Sequence, residues 1–142
     1  MRRRHQVPPS SPLDHALARV GDRWTLLVVN ALLDAPKRFN ELQDALPGIA
    51  PNVLSARIKS LVAEALVVST PYQNRPPRFV YELSASGAEL AGALRLLADW
   101  GARGAEAEPL RHEACGGTLR ATWWCDECEE PVRDPGEPLD FV

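Results

Sequence analysis

The chain has 142 residues, 45% hydrophobic and 25% charged, which excludes wholesale disorder and fibrous repeats and suits one core domain with a small appendage. The net charge of −3 hides a division: residues 1–80 hold 11 Lys and Arg against 6 Asp and Glu, and residues 81–142 hold 5 against 13. A phosphate-facing surface therefore fits in the first half, although a solvated face explains any single cation equally well.

Residues 1–11 are polar and rich in proline, and are expected to be a flexible arm. Arg2, Arg3 and Arg4 have the charge of a signal-peptide start, but Pro8, Pro9 and Pro12 stand where an apolar stretch would be needed. The run Leu26–Val29 is far too short to cross a bilayer, so a cytoplasmic location is expected.

Ser11 and Pro12 suit the N-cap and first position of a helix with Leu13, Ala16, Leu17 and Val20 at helical spacing, stopped by Gly21. Asp22 can cap a second helix of about 23–34, whose dense stripe of Trp24, Leu27, Val28, Ala31 and Leu32 predicts burial on most sides. Pro36 ends it. A third helix is predicted from about Arg38 to Leu46, with Phe39, Leu42 and Leu46 inward and Pro47-Gly48 as the following turn. Trp24 and Phe39 are expected in the core.

Pro51 is placed to open a fourth helix, running to Glu64, with Val53, Leu54, Ile58, Leu61 and Val62 recurring at three- and four-residue steps. Asn52, Ser55, Ala56, Arg57 and Lys59 take the complementary, polar and basic face. Leu66–Tyr72 and Arg78–Leu83 read as strands joined by a projecting tip, Gln73 to Pro77. Ser84 then caps one long helix of about 85–104, with Leu90, Leu94 and Leu97 along one side.

Helices followed by a strand, a tip, a strand and a last helix make the expected class mainly α with a small β-hairpin wing, a winged helix-turn-helix over 12–105. The helix at Pro51 would be the recognition helix, since the DNA major groove admits one helix with short polar or basic outer residues. Asn52, Ser55, Arg57 and Lys59 are its candidate contacts. Arg75 and Arg78 are candidates on the wing, the bland reading being a charged edge that discourages strand pairing.

Separated segments sharpen this expectation. Ser11-Pro-Leu-Asp, Gly21-Asp-Arg-Trp-Thr-Leu-Leu, Arg38-Phe-Asn-Glu-Leu, Leu46-Pro-Gly-Ile-Ala-Pro-Asn-Val-Leu-Ser-Ala-Arg-Ile-Lys-Ser-Leu and Pro76-Pro-Arg-Phe-Val-Tyr-Glu-Leu stand in an order that resembles the HxlR family of bacterial regulators over roughly 11–104. The resemblance implies a homodimeric repressor or activator that pairs through its terminal helices on double-stranded DNA, and it tilts Leu90, Leu94 and Leu97 toward dimerisation. Family members often carry a sensing cysteine just before the first Pro-Leu; here Ser11 stands there and can form no thiolate adduct. Any small-molecule effector is therefore left open.

All three cysteines lie beyond residue 110. His112-x2-Cys115 and Cys125-x2-Cys128 have the spacing by which two tight turns present four ligands to one structural zinc, so residues 106–134 are expected to form a small zinc-ribbon-like module. Glu129, where such turns favour glycine, weakens the pattern; reduced structural cysteines or a Cys125–Cys128 redox pair stay open. Thr118–Trp124 has strand character, and 135–142 is expected to be a flexible tail. Nothing assembles a nucleophile or a phosphate-cradling loop, so an enzyme is not expected. The leading reading is DNA-binding transcriptional control. Its alternatives are a thiol- or zinc-responsive sensor and a protein–protein module without DNA.

Overall fold

The computed structural model describes residues 11–103, 108 and 110–132. The expected arm, apart from Ser11, residues 106, 107, 109, 133 and 134 of the expected cysteine-bearing module, and the expected tail lie outside them.

Ser11 Oγ accepts the Asp14 N–H at 3.1 Å and starts α1, Pro12–Val20. Asp22 caps α2, Arg23–Leu32, by accepting the N–H groups of Trp24 (3.0 Å) and Thr25 (3.2 Å). The predicted third helix begins one residue late, because Lys37–Arg38 form a short strand, β1, and helix α3 runs Phe39–Ala45. Glu41 reaches back to accept the Arg38 N–H at 2.6 Å, which fixes where strand gives way to helix.

After the turn at Gly48, α4 spans Pro51–Ala63 with proline in its first turn. Its end is a left-handed residue, Ala65, at φ 58°, with Leu66 N–H bonded to Leu61 O at 2.9 Å and Ala65 N–H to Val62 O at 3.0 Å. That reversal feeds β2, Val67–Asn74, which pairs antiparallel with β3, Pro77–Leu83. A bulge between Pro71 and Gln73 leaves Tyr72 as the extra residue. The sheet order β1-β3-β2 puts β3 in the middle, with Lys37 opposite Tyr81 and Arg38 opposite Val80.

The single helix expected over 85–104 is two: α5, Ala85–Ala88, and α6, Ala91–Ala102. Ser84 accepts the Gly87 N–H at 3.0 Å and donates its hydroxyl to Ala65 O at 2.7 Å, tying α5 to the end of α4. Gly87 lies so close that a Cβ there would collide with the Leu66 carbonyl oxygen. The weak helix former at this contact and a tight turn, Leu90 N–H to Gly87 O at 3.2 Å, divide the helix.

The core is Val20, Val28, Val29, Leu32, Leu42, Leu46, Ile49, Leu54, Ile58, Leu61, Leu66, Val67 and Leu94, with Trp24 and Phe39 half-buried against it. Contacts divide the chain into two units between Leu94 and Arg95, inside α6. Leu94 is the last core residue along α6. In the second unit, the strand expected over Thr118–Trp124 shrinks to a lone bridge, Arg111 to Thr118, and β4, Trp123–Cys125, which pairs antiparallel with β5, Glu130–Val132.

Candidate nucleic-acid interface and the cysteine-bearing turns

α4 has two chemically distinct sides. Leu54, Ile58 and Leu61 are buried, whereas Asn52, Ala56, Lys59 and Ser60 are exposed and Ser55 is half-exposed. The spacing that buries the first set obliges the second to face outward. Among the described residues, no ion pair engages Lys59, Arg75 or Arg78.

Arg57 differs from its neighbours. Its Nε lies 2.9 Å from Oδ1 of Asp22, the carboxylate that caps α2, although the N–H is not aligned for a hydrogen bond. The side chain is 34% exposed. Arg57 thus ties α4 to the start of α2, and only part of its guanidinium faces solvent. A second strap joins α1 to the end of α4: Arg19 Nε lies 2.6 Å from Glu64 Oε2, and Arg19 Nη2 donates to Glu64 O at 3.1 Å. Two cations of the basic half are thus paired with carboxylates of the chain itself.

On the wing, Arg75 sits at the tip, where the Gln73 side-chain amide donates to Arg75 O at 3.0 Å, and Arg78 follows on β3. Arg78, Arg38, Asn40, Tyr72 and Phe79 help line a cleft of about 370 Å³ between the wing and the start of α3. The Arg38 guanidinium lies 4.5 Å from the centre of the Tyr72 ring. Burial pushes the Tyr81 phenol, also in the cleft wall, above its ordinary value. Sequence reasoning missed Arg38 and Tyr72: a two-residue strand carries no periodicity, and a bulge residue obeys no alternation.

The leucines proposed for pairing separate. Leu94 is buried and Leu90 is packed against the core, so both serve this domain's interior, while Leu97 is exposed. On α1, Leu13 and Leu17, which fall at helical spacing, are 66% and 51% exposed. Only Val20 of that helix is buried.

The cysteines occupy two turns. In the first, His112 O accepts the N–H groups of Cys115 (3.3 Å) and Gly116 (2.7 Å), His112 N–H returns to Gly117 O (2.8 Å), and Leu119 N–H bonds Leu110 O (2.9 Å). His112 Nδ1 and Cys115 Sγ are 3.2 Å apart. In the second, β4 and β5 pair Cys125 with Glu130 around Cys128. The Cys125 thiol is held below its ordinary value, first by the backbone N–H of Cys128, then by that of Glu127 and by the Cys128 side chain. All three cysteines are free, and among the described residues no three metal-binding side chains lie together, so the two pairs stand as separate halves.

Comparison with known proteins agrees with this architecture. The HxlR-like helix-turn-helix family profile matches residues 19–109. An uncharacterized HTH-type transcriptional regulator of Mycobacterium tuberculosis is 35% identical over 122 residues, covering 82% of this chain and 77% of its own. A Pseudomonas aeruginosa protein described as a transcription factor, PA1374, superposes with a TM-score of 0.65 at 26% identity, over 91% of this chain and 96% of its own. The redox regulator HypR in its reduced form superposes with a TM-score of 0.61 at 28% identity, over 66% of this chain and 92% of its own. Among the described residues no helix is long and apolar enough to cross a membrane. The chain belongs to the HxlR-like helix-turn-helix family and is a DNA-binding transcriptional regulator of winged-helix fold.

Proposed function

We propose that the chain acts as a homodimer that reads a specific duplex sequence with α4 in the major groove and braces on the flanking backbone with its wing. The observation that carries this reading is the division of α4 into a buried side, Leu54, Ile58 and Leu61, and a polar, outward side, Asn52, Ser55, Ala56 and Lys59. Short polar residues on an otherwise seated helix meet the steric and hydrogen-bonding demands of the groove. Arg75 and Arg78 supply phosphate contacts, and Arg38, on the same cleft as Arg78, adds a third cation to the wing side.

Arg57 contributes in a different manner. Its pairing with Asp22 makes it first a positioning residue for α4, and the partly exposed guanidinium is available to a phosphate at the edge of the interface. For dimerisation, Leu13 and Leu17 on α1 and, separately, Leu97 on α6 offer apolar side chains that the described residues leave exposed.

Selection of bound fragments from random duplexes, followed by salt titration on the winner, tests the reading. A recovered consensus with two related half-sites and an affinity that falls steeply with salt is the expected outcome, Lys59→Ala reducing the salt slope by about one unit. Failure to enrich any sequence, with affinity indifferent to salt, would leave the wing and α4 as a protein-binding surface.

A further inference from the structure

We propose that His112, Cys115, Cys125 and Cys128 form one tetrahedral zinc site, built from two turns of matched backbone, and that the metal holds residues 110–132 in shape.

The two turns share more than sequence spacing. In each, the residue directly after the second potential ligand adopts a left-handed conformation: Gly116 follows Cys115 at φ 71°, and Glu129 follows Cys128 at φ 53°. Gly116 is the residue type expected there; Glu129 is not, since a long side chain in this region is disfavoured. That Glu129 nevertheless takes the same conformation removes the objection its identity raised against the motif. The turn repeats, even though the residue does not.

One pair of the atoms that would bind is also placed for it. Zinc bonds of about 2.1 Å to nitrogen and about 2.3 Å to sulfur, opened at a tetrahedral angle, put the two ligand atoms about 3.5 Å apart. His112 Nδ1 and Cys115 Sγ lie 3.2 Å apart, a few tenths of an ångström from that edge, which names Nδ1 as the ligand nitrogen. In the second turn Cys125 closes β4 and pairs with Glu130, the first residue of β5, and Cys128 lies in the turn between them. Each turn thus offers two ligands, three sulfurs and one imidazole in all, and zinc would draw the two turns together.

Their surroundings call for such a staple. From Arg111 to Val132 every residue except Cys125 is exposed, including Trp123 and Trp124 at 61% and 60%. So short a segment without an apolar interior gains its stability from cross-links, and the three cysteines are all free thiols. Zinc joining the halves would supply the missing tie, and four protein ligands leave no open position for catalysis.

The test uses the full chain, purified under reducing conditions, dialysed against metal-free buffer and assayed for zinc, then stripped and titrated with zinc(II) and cobalt(II). Expected are one zinc per chain, a cobalt spectrum with thiolate charge-transfer bands and tetrahedral ligand-field bands, and a tryptophan emission change on stripping. His112→Ala and Cys128→Ser should each weaken binding by at least about tenfold, since even the partners that merely orient a ligand are worth that much. Glu129→Gly, which relieves the left-handed position, should tighten binding a few-fold and guards against variants that fail to fold. Stripped protein that takes up neither metal overturns the proposal. So does binding that survives Cys128→Ser, or a Cys125–Cys128 disulfide formed in preference to the metal complex. The outcome does not depend on DNA binding, which rests on other residues.

Discussion

The winged helix and the segment after it solve the same problem by opposite means. From α1 to Leu94 a continuous apolar core joins helices and strands far apart in sequence, and polar side chains only trim the ends: Asp22 on α2, Ser84 on α5, Arg19 on Glu64. From 111 to 132 there is almost nothing buried, and what order exists is made of backbone hydrogen bonds around two turns. Burial is cumulative and forgiving, so the first region tolerates loose features such as the break after α5. A region of turns depends on a few dihedral angles and on whatever cross-links them.

Cutting into the core should produce the largest effect and should stay on one side of that divide. Leu54 is fully buried at the seat of α4. Leu54→Ala is expected to lower stability by about 2–5 kcal/mol in chemical denaturation and to abolish operator binding, while metal uptake by the cysteine-bearing turns persists. Loss of both together would show that the two regions fold as one.

Glycines in the two regions should fail for different reasons. Gly87→Ala forces a methyl group into the Leu66 carbonyl and is expected to cost about 1–3 kcal/mol through displacement of α5 from β2. At Gly116 the space beside the backbone is open and the strain is purely torsional, at φ 71°. Gly116→Ala should therefore cost only about 1–2 kcal/mol, confined to the second region, and Gly116→Asn, which tolerates that angle better, should recover part of it. Hydrogen-exchange rates of the two regions would separate these cases. If Gly87→Ala and Gly116→Ala perturb the same amides, the contrast between packing and torsion fails.

How much of this was readable beforehand follows from the same division. The buried side of α4 declares itself in the spacing of Leu54, Ile58 and Leu61, and the alternation in β3 marks Tyr81 and Leu83, because packing against a core imposes a period on sequence. The strand β1 escaped because two residues cannot show a period. Leu13 and Leu17 fall at helical spacing yet face outward, since spacing gives a face and not its occupant. The tie between Arg57 and Asp22 was equally invisible: an ion pair between separate helices depends on how they pack, which no local pattern encodes. In the cysteine-bearing turns the reverse holds. Spacing alone picked out His112, Cys115, Cys125 and Cys128, but only the backbone reveals that Glu129 behaves as the glycine would.

The smallest stability changes carry the sharpest information about α4. Asp22→Ala removes the cap of α2 together with the Arg57 partner and should cost about 0.5–2 kcal/mol, whereas Asp22→Asn keeps a capping oxygen and should cost less. Arg57→Ala removes a pair exposed by a third or more on both sides, worth at most about 1 kcal/mol. The decisive comparison is therefore in DNA affinity. If Arg57 works by holding α4 in place, Asp22→Asn and Arg57→Ala should weaken operator binding alike, and combining them should add little. If its guanidinium reaches the duplex, Arg57→Ala should weaken binding while Asp22→Asn, which frees that guanidinium, leaves it unchanged or strengthens it.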